Sequence, residues 1–482
     1  MTEEHTQFAE DRIEHLEQLE EQGINAYPTG TPTPISVDVF CENYTDIEDI
    51  EDENTWVLAG RITRKNSFGD FSFYDIDDRT NNVQVLCRRA DIEEYDVLED
   101  HINLGDQIVF TGYAGRSNTG ELTLFAEEYD ISSKSLTEYS TEWNSLSEQQ
   151  RIEQRTSALT TNDELFDSVR TRFEIQQAIR QYLNENEFLE VETPTIDKYS
   201  GGNNSTDFDT YCEDINQEMS LRVAPELYLK RLITAGYTQI YEVARCYRNE
   251  SIDTTHNPEF TMLELYQSYA DYEDMMDLTE QLIEYVTQSV NDGDTTIEFN
   301  GENIDMSAPW ERRSFNDLVT EYISDEMEST DEEDIRTHME ERYNVELESD
   351  MTYDEILLEL FEEAIEPELV GPIFVTDYPT VSTPLCRTHD DDDSRVQRFE
   401  SFVCGMEIAN AYTELTNPVE QQERLIENSE DGSINSEFIE AISNGMPPTG
   451  GLGIGMDRIA MILTNSQSIK DVLPYPLTAN RI

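Results

Sequence analysis

Residues 240–266 read IYEVARCYRNESIDTTHNPEFTMLELY, which predicts a strand, a polar loop and a second strand. Extended chain alternates its side chains between two faces, so Phe260, Met262, Glu264 and Tyr266 share one face and Thr261, Leu263 and Leu265 the other. Glu264 is therefore expected on a half-buried sheet face. Arg248 and Glu250 share a parity at the end of the first strand, and the loop carries His256 and Asn257 ahead of Pro258. An Arg, a His and an Asn above a floor of one carboxylate and two rings suit a ligand with a phosphate, a flat ring and a cationic end. Guanidinium pairs with phosphate bidentately, and a desolvated carboxylate needs a positive partner. The plainer alternative for this stretch alone is an ordinary hairpin with a salt-bridged turn.

Toward the C-terminus, RFESFVCGMEIANAYTEL at 398–415 puts Asn410, Tyr412 and Glu414 on one strand face, with Glu400 and Glu407 on neighbouring strands or a bend. Carboxylates so spaced can hold Mg2+, which accepts one or two protein oxygens and leaves the rest to water and phosphate. Solvated surface is the plainer reading in a chain with 105 acidic residues. GGLGIGMDRIAMILTN at 450–465 predicts a glycine-rich strand entering an apolar helix with Arg458 in its first turn. Backbone approaches a ligand closely at such glycines, and a helix start favours an anion. The third glycine of a dinucleotide fingerprint is missing.

Upstream, Gly201 and Gly202 open a turn, and LRVAPELYLKRLITAGY at 221–237 starts a helix at Pro225 with Glu226 beside it. The helix dipole alone explains an acid there. Residues 163–188 place Phe166, Val169, Phe173 and Ile179 at helical spacing, and FLEVETPTI follows as a strand ending at Pro194, a candidate dimer seam or ordinary core. Residues 270–290 read as helix, and 311–366 as an inserted helical subdomain.

Between Thr55 and Ile131 five short alternating runs punctuated by Gly and Asn predict a small closed barrel of the oligonucleotide-binding type. Phe71, Phe73 and Tyr74 lie close to Arg61, Arg64 and Lys65 in sequence, and aromatics beside cations suit unstacked bases. Half of those rings belong to the core of such a barrel. Residues 3–22 read as an amphipathic helix stopped by Gly23. The expected organisation is a helical extension at 1–50, the barrel at 51–135, a linker at 136–162 and the main domain at 163–482, an α+β architecture overall.

The 482 residues carry 105 Asp and Glu against 31 Lys and Arg, a formal charge of -74, yet 37% hydrophobic residues supply a core. A hydrated acidic surface suited to high salt, as in a salt-adapted organism, follows from that balance. Six single cysteines without a CxxC pair suggest reduced thiols and a cytoplasmic protein. The charged N-terminus is unlike a signal peptide, and no apolar run is long enough to span a membrane.

Three signatures in order, FLEVETPTI, then YEVARCYRNE with HNPEFTMLELY, then GLGIGMDR, resemble those of the class II lysyl-tRNA synthetases of subclass IIb, over nearly the whole chain. LRVAPELYLKR after the paired glycines, and RFESFVCGMEIANAYTELTNP, look specific to the lysine branch. The resemblance implies an antiparallel catalytic sheet flanked by helices, a homodimer formed through the first signature, and an N-terminal barrel that reads the anticodon. It implies L-lysine, ATP and tRNA(Lys) as substrates, Mg2+ as cofactor, and neither DNA nor membrane as partner.

By matching positions, Arg248 resembles the arginine holding the α-phosphate and the substrate carboxylate, Phe260 the ring stacked on adenine, and Arg458 the guanidinium on its other face near the γ-phosphate. These two arginines would carry catalysis. Glu250, His256, Asn257 and Glu407 resemble further ATP contacts, and Glu400 and Glu407 the Mg2+ ligands. Gly202, Glu226, Glu264, Tyr266, Asn410, Tyr412 and Glu414 resemble the lysine pocket, and Phe73 and Gln84 anticodon-reading positions. The chain departs from the pattern at Ser251, where the family has Gly, at Thr255, where it has Arg, and in NNSTDF after the second glycine. The nearest rivals are an aspartyl- or asparaginyl-tRNA synthetase, and a paralogue that binds tRNA or modifies a protein without charging tRNA.

Overall fold

The structure, a computed structural model, describes residues 8–45, 54–139, 147–198, 206–327, 329–429 and 434–477. The chain divides into two compact units, Met1–Ser145 and Leu146–Ile482.

In the first unit, β1 (Thr55–Ser67), β2 (Phe71–Asp77), β3 (Asn82–Arg88), β4 (Gln107–Arg116) and β5 (Leu122–Ser133) close a barrel in the order β1-β2-β3-β5-β4. The period of two decides which side chains fill it. On β2, Ser72, Tyr74 and Ile76 are buried while Phe71 is exposed and Phe73 half-buried. A fully buried ion pair, Lys134 Nζ to Asp106 at 2.6 Å, ties the end of β5 to the start of β4. The N-terminal helix runs over Glu10–Glu21, shorter than the expected 3–22 (residues 3–7 lie outside the described ones), and Gly23 ends it at φ +79°. It packs Leu19 into the barrel core, and Arg12 Nη1 donates to the Leu104 carbonyl at 2.9 Å.

The second unit is built on eight strands: β6 (Leu189–Glu190), β10 (Gln239–Tyr247), β11 (Glu259–Ser268), β14 (Glu311–Ser314), β15 (Ile373–Thr376), β16 (Arg398–Val403), β17 (Met406–Thr413) and β18 (Thr449–Gly455). Their order is β14-β15-β16-β17-β18-β11-β10-β6. All neighbours are antiparallel except the two edge pairs. Small sheets of β7 (Ile196–Asp197), β8 (Phe208–Cys212) and β9 (Gln217–Leu221), and of β12 (Thr296–Phe299) and β13 (Glu302–Asp305), stand beside it. Helices Asp163–Glu185, Tyr272–Val290 and Met456–Leu463 cover one face, where Leu263, Leu265, Ala409, Ala411, Leu452 and Ile454 join their apolar sides in the main core. The opposite parity faces the other way. Register aligns Glu400, Asn410, Gly453, Glu264 and Glu242 in one row across five strands, and Arg398, Tyr412, Gly451, Tyr266 and Ile240 in the next.

Four expectations need correcting. FLEVETPTI contributes only Leu189–Glu190 to the sheet, and the chain leaves before Pro194, which has no N–H for a ladder, to resume at Ile196 in the small sheet. Residues 311–366, expected as a helical insertion within the main domain, do hold helices, but they open with an edge strand of the main sheet and those helices share a core with Ile373, Val375 and Phe402 rather than forming a subdomain of their own. The stretch read as linker contains helices Glu148–Glu153 and Arg155–Thr161, and the buried Arg155 donates to the carbonyls of Lys470 and Pro474 at 2.8 and 3.0 Å. On the helix Asp163–Glu185 the buried stripe includes Leu165, Arg172, Ile175 and Leu183, whereas Phe173 is exposed.

Candidate active site

Two adjoining cavities of about 320 Å³ each open on the uncovered face of the sheet and share Arg248, Met262, Asn410 and Gly453 as walls. Arg248 follows β10 directly, and its N–H donates to the Pro258 carbonyl at 2.9 Å, which closes the hairpin and aims the guanidinium at the junction. The guanidinium lies 5.2 Å from the Phe260 ring centroid, and its buried Nε has no protein partner among the described residues. A cation that both cavities see suits a group shared between two ligands.

The first cavity is lined by Glu250, His256, Asn257, Phe260, Glu400, Glu407 and Arg458. Arg458 Nη1 donates to the Glu407 carbonyl and carboxylate at 2.7 and 3.0 Å, and Nη2 lies 3.2 Å from His256 Nε2. His256 Nδ1 is 2.9 Å from Asp253, which also accepts from the N–H groups of Thr255 and His256. Burial pushes the Asp253 carboxyl up, but those N–H groups and the imidazole outweigh it and hold it below the usual range. Arg458 is also fixed from behind through its neighbour Asp457. Asp457 accepts from buried Arg172 at 2.7 Å and from the Thr261 N–H at 2.9 Å. Neither Asp253, Arg172 nor Asp457 was legible in the sequence, because their roles depend on elements far apart in the chain.

Glu400 and Glu407 come from antiparallel β16 and β17 beside Arg458. Glu400 is ion-paired with Arg398 and accepts from Asn410 Nδ2 at 3.3 Å. Burial raises its carboxyl above the ordinary range, Arg398 opposes this, and repulsion from Glu407 adds to it. Two more carboxylates, Glu362 and Glu366, reach this region from the segment 311–366. Desolvation of its inner side, with repulsion from Glu359, Glu400 and Glu407, raises the otherwise exposed Glu362 to about 7; partial burial, then Glu407, Glu400 and Glu362, raises Glu366 to about 8. Among the described residues no three His, Cys, Asp or Glu side chains form a ready metal cage. A cluster of carboxylates with Glu400 and Glu407 lining a cavity does fit Mg2+, which takes few protein ligands and keeps water and phosphate for the rest.

In the second cavity Glu226, Glu264, Tyr266, Asn410, Tyr412 and Glu414 converge, and the three glutamates are 8%, 5% and 1% exposed. Glu226 begins the helix Glu226–Thr234, Glu264 stands on β11, and Glu414 follows β17, where its N–H donates to the Thr449 carbonyl at 2.9 Å. Tyr266 donates to Glu264 at 3.2 Å, and the Tyr412 hydroxyl donates to Glu226. Burial, partly countered by Lys230, raises Glu414 to about 8, and burial followed by repulsion from Glu226 puts Glu264 well above its ordinary value. Gly451 makes room for the group: a Cβ there would lie 2.1 Å from Glu414 Oε1 and 2.7 Å from the Tyr266 ring. Lys230 and Arg398, which no local sequence pattern singles out, bring cations to the cluster. Gly202 lies outside the described residues.

In the barrel unit Phe73 stands beside Phe71 and Phe68, with Phe68 and Phe71 stacked at 5.2 Å and Phe71 edge-on to Phe73 at 5.8 Å. Gln84 donates to Glu121 at 2.9 Å and accepts from Thr123 at 3.0 Å. The basic cluster is smaller than the sequence suggests. Arg61 donates to the Gly105 carbonyl at 2.7 Å and Lys65 to that of Ile102 at 3.2 Å, while Tyr74 is core and Arg64 remains exposed beside Asp75.

Residues 147–479 match the family of class II tRNA synthetases (D, K and N), and residues 56–131 match the OB-fold nucleic acid binding domain. The fold and paired cavities thus define an ATP-dependent aminoacyl-tRNA synthetase of class II. The chain is 37% identical to a lysine–tRNA ligase of Thermotoga sp. (strain RQ2), over 98% of this chain and 96% of that one. It is 36% identical to one of Methanoculleus marisnigri, over 98% and 95%. The chain belongs to the lysine–tRNA ligase family.

Proposed function

We propose that the chain activates L-lysine with ATP in the paired cavities and transfers it to the 3' end of tRNA(Lys). The observation that carries this reading is the convergence of Glu226, Glu264 and Glu414 next to a cavity that shares Arg248. An ammonium on an apolar stem is stable in a dry pocket only against carboxylates. A pocket so lined repels aspartate and has no use for a neutral asparagine side chain, which disfavours the aspartyl and asparaginyl alternatives.

In this assignment Glu226, Glu264, Tyr266, Asn410, Tyr412 and Glu414, with Gly202, hold lysine, and Arg248 draws its carboxylate toward the nucleotide. Phe260, Glu250, His256, Asn257 and Arg458 hold ATP. A lysine carboxylate oxygen forms a bond to the α-phosphorus as the bond to pyrophosphate breaks, with Arg248 and Arg458 neutralising charge on the phosphates. A terminal ribose hydroxyl of tRNA then attacks the lysyl carbonyl, and AMP leaves. Neither step needs a side-chain nucleophile. Glu400 and Glu407 would hold Mg2+, which supplies further neutralisation of the phosphates.

The barrel, assigned to residues 51–135 ahead of the catalytic part, reads the anticodon through Phe73 and Gln84, supported by the ring cluster around Phe73. Homodimerisation at the first signature is supported by Leu189 and Ile196, each 52% exposed beside an edge strand. A cytoplasmic location agrees with six free thiols, and no helix among the described residues is long and apolar enough to cross a membrane. ATP–pyrophosphate exchange with lysine, aspartate and asparagine in parallel tests the assignment. Lysine alone should support exchange; exchange driven by aspartate would reject it.

A further inference from the structure

Behind the lysine pocket, which Arg248 and Arg398 also line, stands a further buried cation that pairs with two of the three glutamates. Lys230, one helical turn beyond Glu226, is 1% exposed; its Nζ lies 2.8 Å from Glu226 Oε1 and pairs with Glu414 Oε2. It also sits 5.4 Å from the Tyr412 ring centroid. Glu226, Tyr412 and Glu414 line the cavity and Lys230 does not, so the ammonium stands behind the wall and acts through the groups that form it. The buried Glu414 Oε1 has no hydrogen-bond partner among the described residues.

We infer that Lys230 is a positioning residue that sets the charge of the amino-acid pocket: it fixes Glu226 and Glu414 and, once all three carboxylates are ionised around bound lysine, neutralises one of them, so that the two left over match a substrate with two ammonium groups. This rests on the reading of the pocket as the lysine site. Lysine brings an α- and an ε-ammonium, and its carboxylate is matched by Arg248. A substrate with an apolar or acidic side chain leaves at least one dry carboxylate bare, so the count of charges is itself a filter. In the ligand-free pocket burial already favours the protonated forms of Glu264 and Glu414, and without the resident cation they would hold those protons more tightly still. A protonated carboxyl no longer offers an ammonium a full negative charge. An intrahelical pair with Glu226 alone would be ordinary helix stabilisation. The reach across to Glu414, on a different element, is what ties Lys230 to the pocket.

The groups facing Lys230 and the glutamates are Glu264 and Tyr266 on β11, Tyr412 on β17, and Arg398 and Cys386 beyond them. Their phenols and thiol are held above their ordinary values by burial, so the carboxylates dominate titration near neutral pH.

The test uses the full chain and three variants: Lys230→Gln, which keeps a hydrogen-bonding head, Lys230→Met, which keeps the stem, and Lys230→Arg, which keeps the charge. Exchange kinetics are followed across neutral pH with Glu264→Gln alongside. Both neutral variants should raise the lysine KM about thirtyfold or more while the ATP KM stays within about threefold. The pH above which lysine binding levels off should move up, because carboxylates without their cation hold protons more tightly. Lys230→Arg should preserve the parent's profile and lysine KM. Folded neutral variants with an unchanged lysine KM and pH profile, or with equal losses for lysine and ATP, would overturn the inference. Should neither neutral variant fold, Lys230→Arg decides: a lysine KM near the parent's is expected, and a large rise overturns it. If Glu264→Gln weakens lysine and the Lys230 variants do not, this inference fails and the pocket stands; if Glu264→Gln also has no effect, the pocket reading itself fails.

Discussion

Glu264 shows what a single buried carboxylate can do here. It stands on the open face of β11, 5% exposed, with Tyr266 as donor, and waits for a charge. Glu264→Gln keeps the shape and removes that charge, so the lysine KM should rise far more than the ATP KM; equal changes in exchange kinetics would speak against the assignment. The titration of Glu414 gives a second test at this scale. Its value of about 8 exceeds that of an ordinary carboxylate, so burial in the ligand-free pocket disfavours its ionised form. Stability of the ligand-free protein should therefore fall as pH rises from the ordinary carboxylate range toward about 8, and bound lysine should restore it. Thermal unfolding with and without lysine should show a larger lysine-induced rise in Tm at about pH 8.5 than at about pH 6. Thr255 marks the opposite case, a position without a cation in the nucleotide cavity. Thr255→Arg should lower the ATP KM several-fold, and an unchanged value would show that the departure is compensated elsewhere.

At the scale of elements, the junction of β18 with the helix Met456–Leu463 organises both cavities. Gly451 and Gly453 lower the sheet surface where the glutamates stand, and Asp457 locks the helix start through Arg172 and the Thr261 N–H. Gly451→Ala would press a methyl against Glu414 Oε1 and the Tyr266 ring, so lysine affinity should fall with little effect on ATP. Arg172→Met leaves Asp457 charged and buried without its partner, at a cost of about 3–5 kcal/mol. Chemical denaturation should show that loss, and exchange in the folded fraction should show a lower kcat, because the helix start carries Arg458.

At the scale of the molecule, a net charge of -74 has to be screened. At ~1 M salt the Debye length falls to about 3 Å, and repulsion between surface carboxylates fades. Transfer from molar KCl to dilute buffer should unfold the protein, as followed by circular dichroism; a protein stable in dilute buffer would show that the acidic surface is tolerated without salt. Division into two units lets recognition and chemistry be separated. Phe73→Ala should reduce lysyl transfer to tRNA while exchange in the catalytic unit continues, and loss of both would show that the barrel had been assigned the wrong part.

Alternation and glycine placement by themselves determined the barrel, the strand pair around residues 240–266 and the parity that puts Glu264, Tyr266, Asn410 and Tyr412 on one side. Those properties are local: the period of two and the sterics of each residue operate without reference to distant chain. Only tertiary structure decided that Arg172 belongs to the core, that Glu362 and Glu366 approach Glu400 and Glu407, and that Lys230 stands between two of the glutamates. A charged side chain looks like surface in sequence. Whether it is buried depends on a partner brought from elsewhere by the sheet, since dry burial of a charge is stable only when paired.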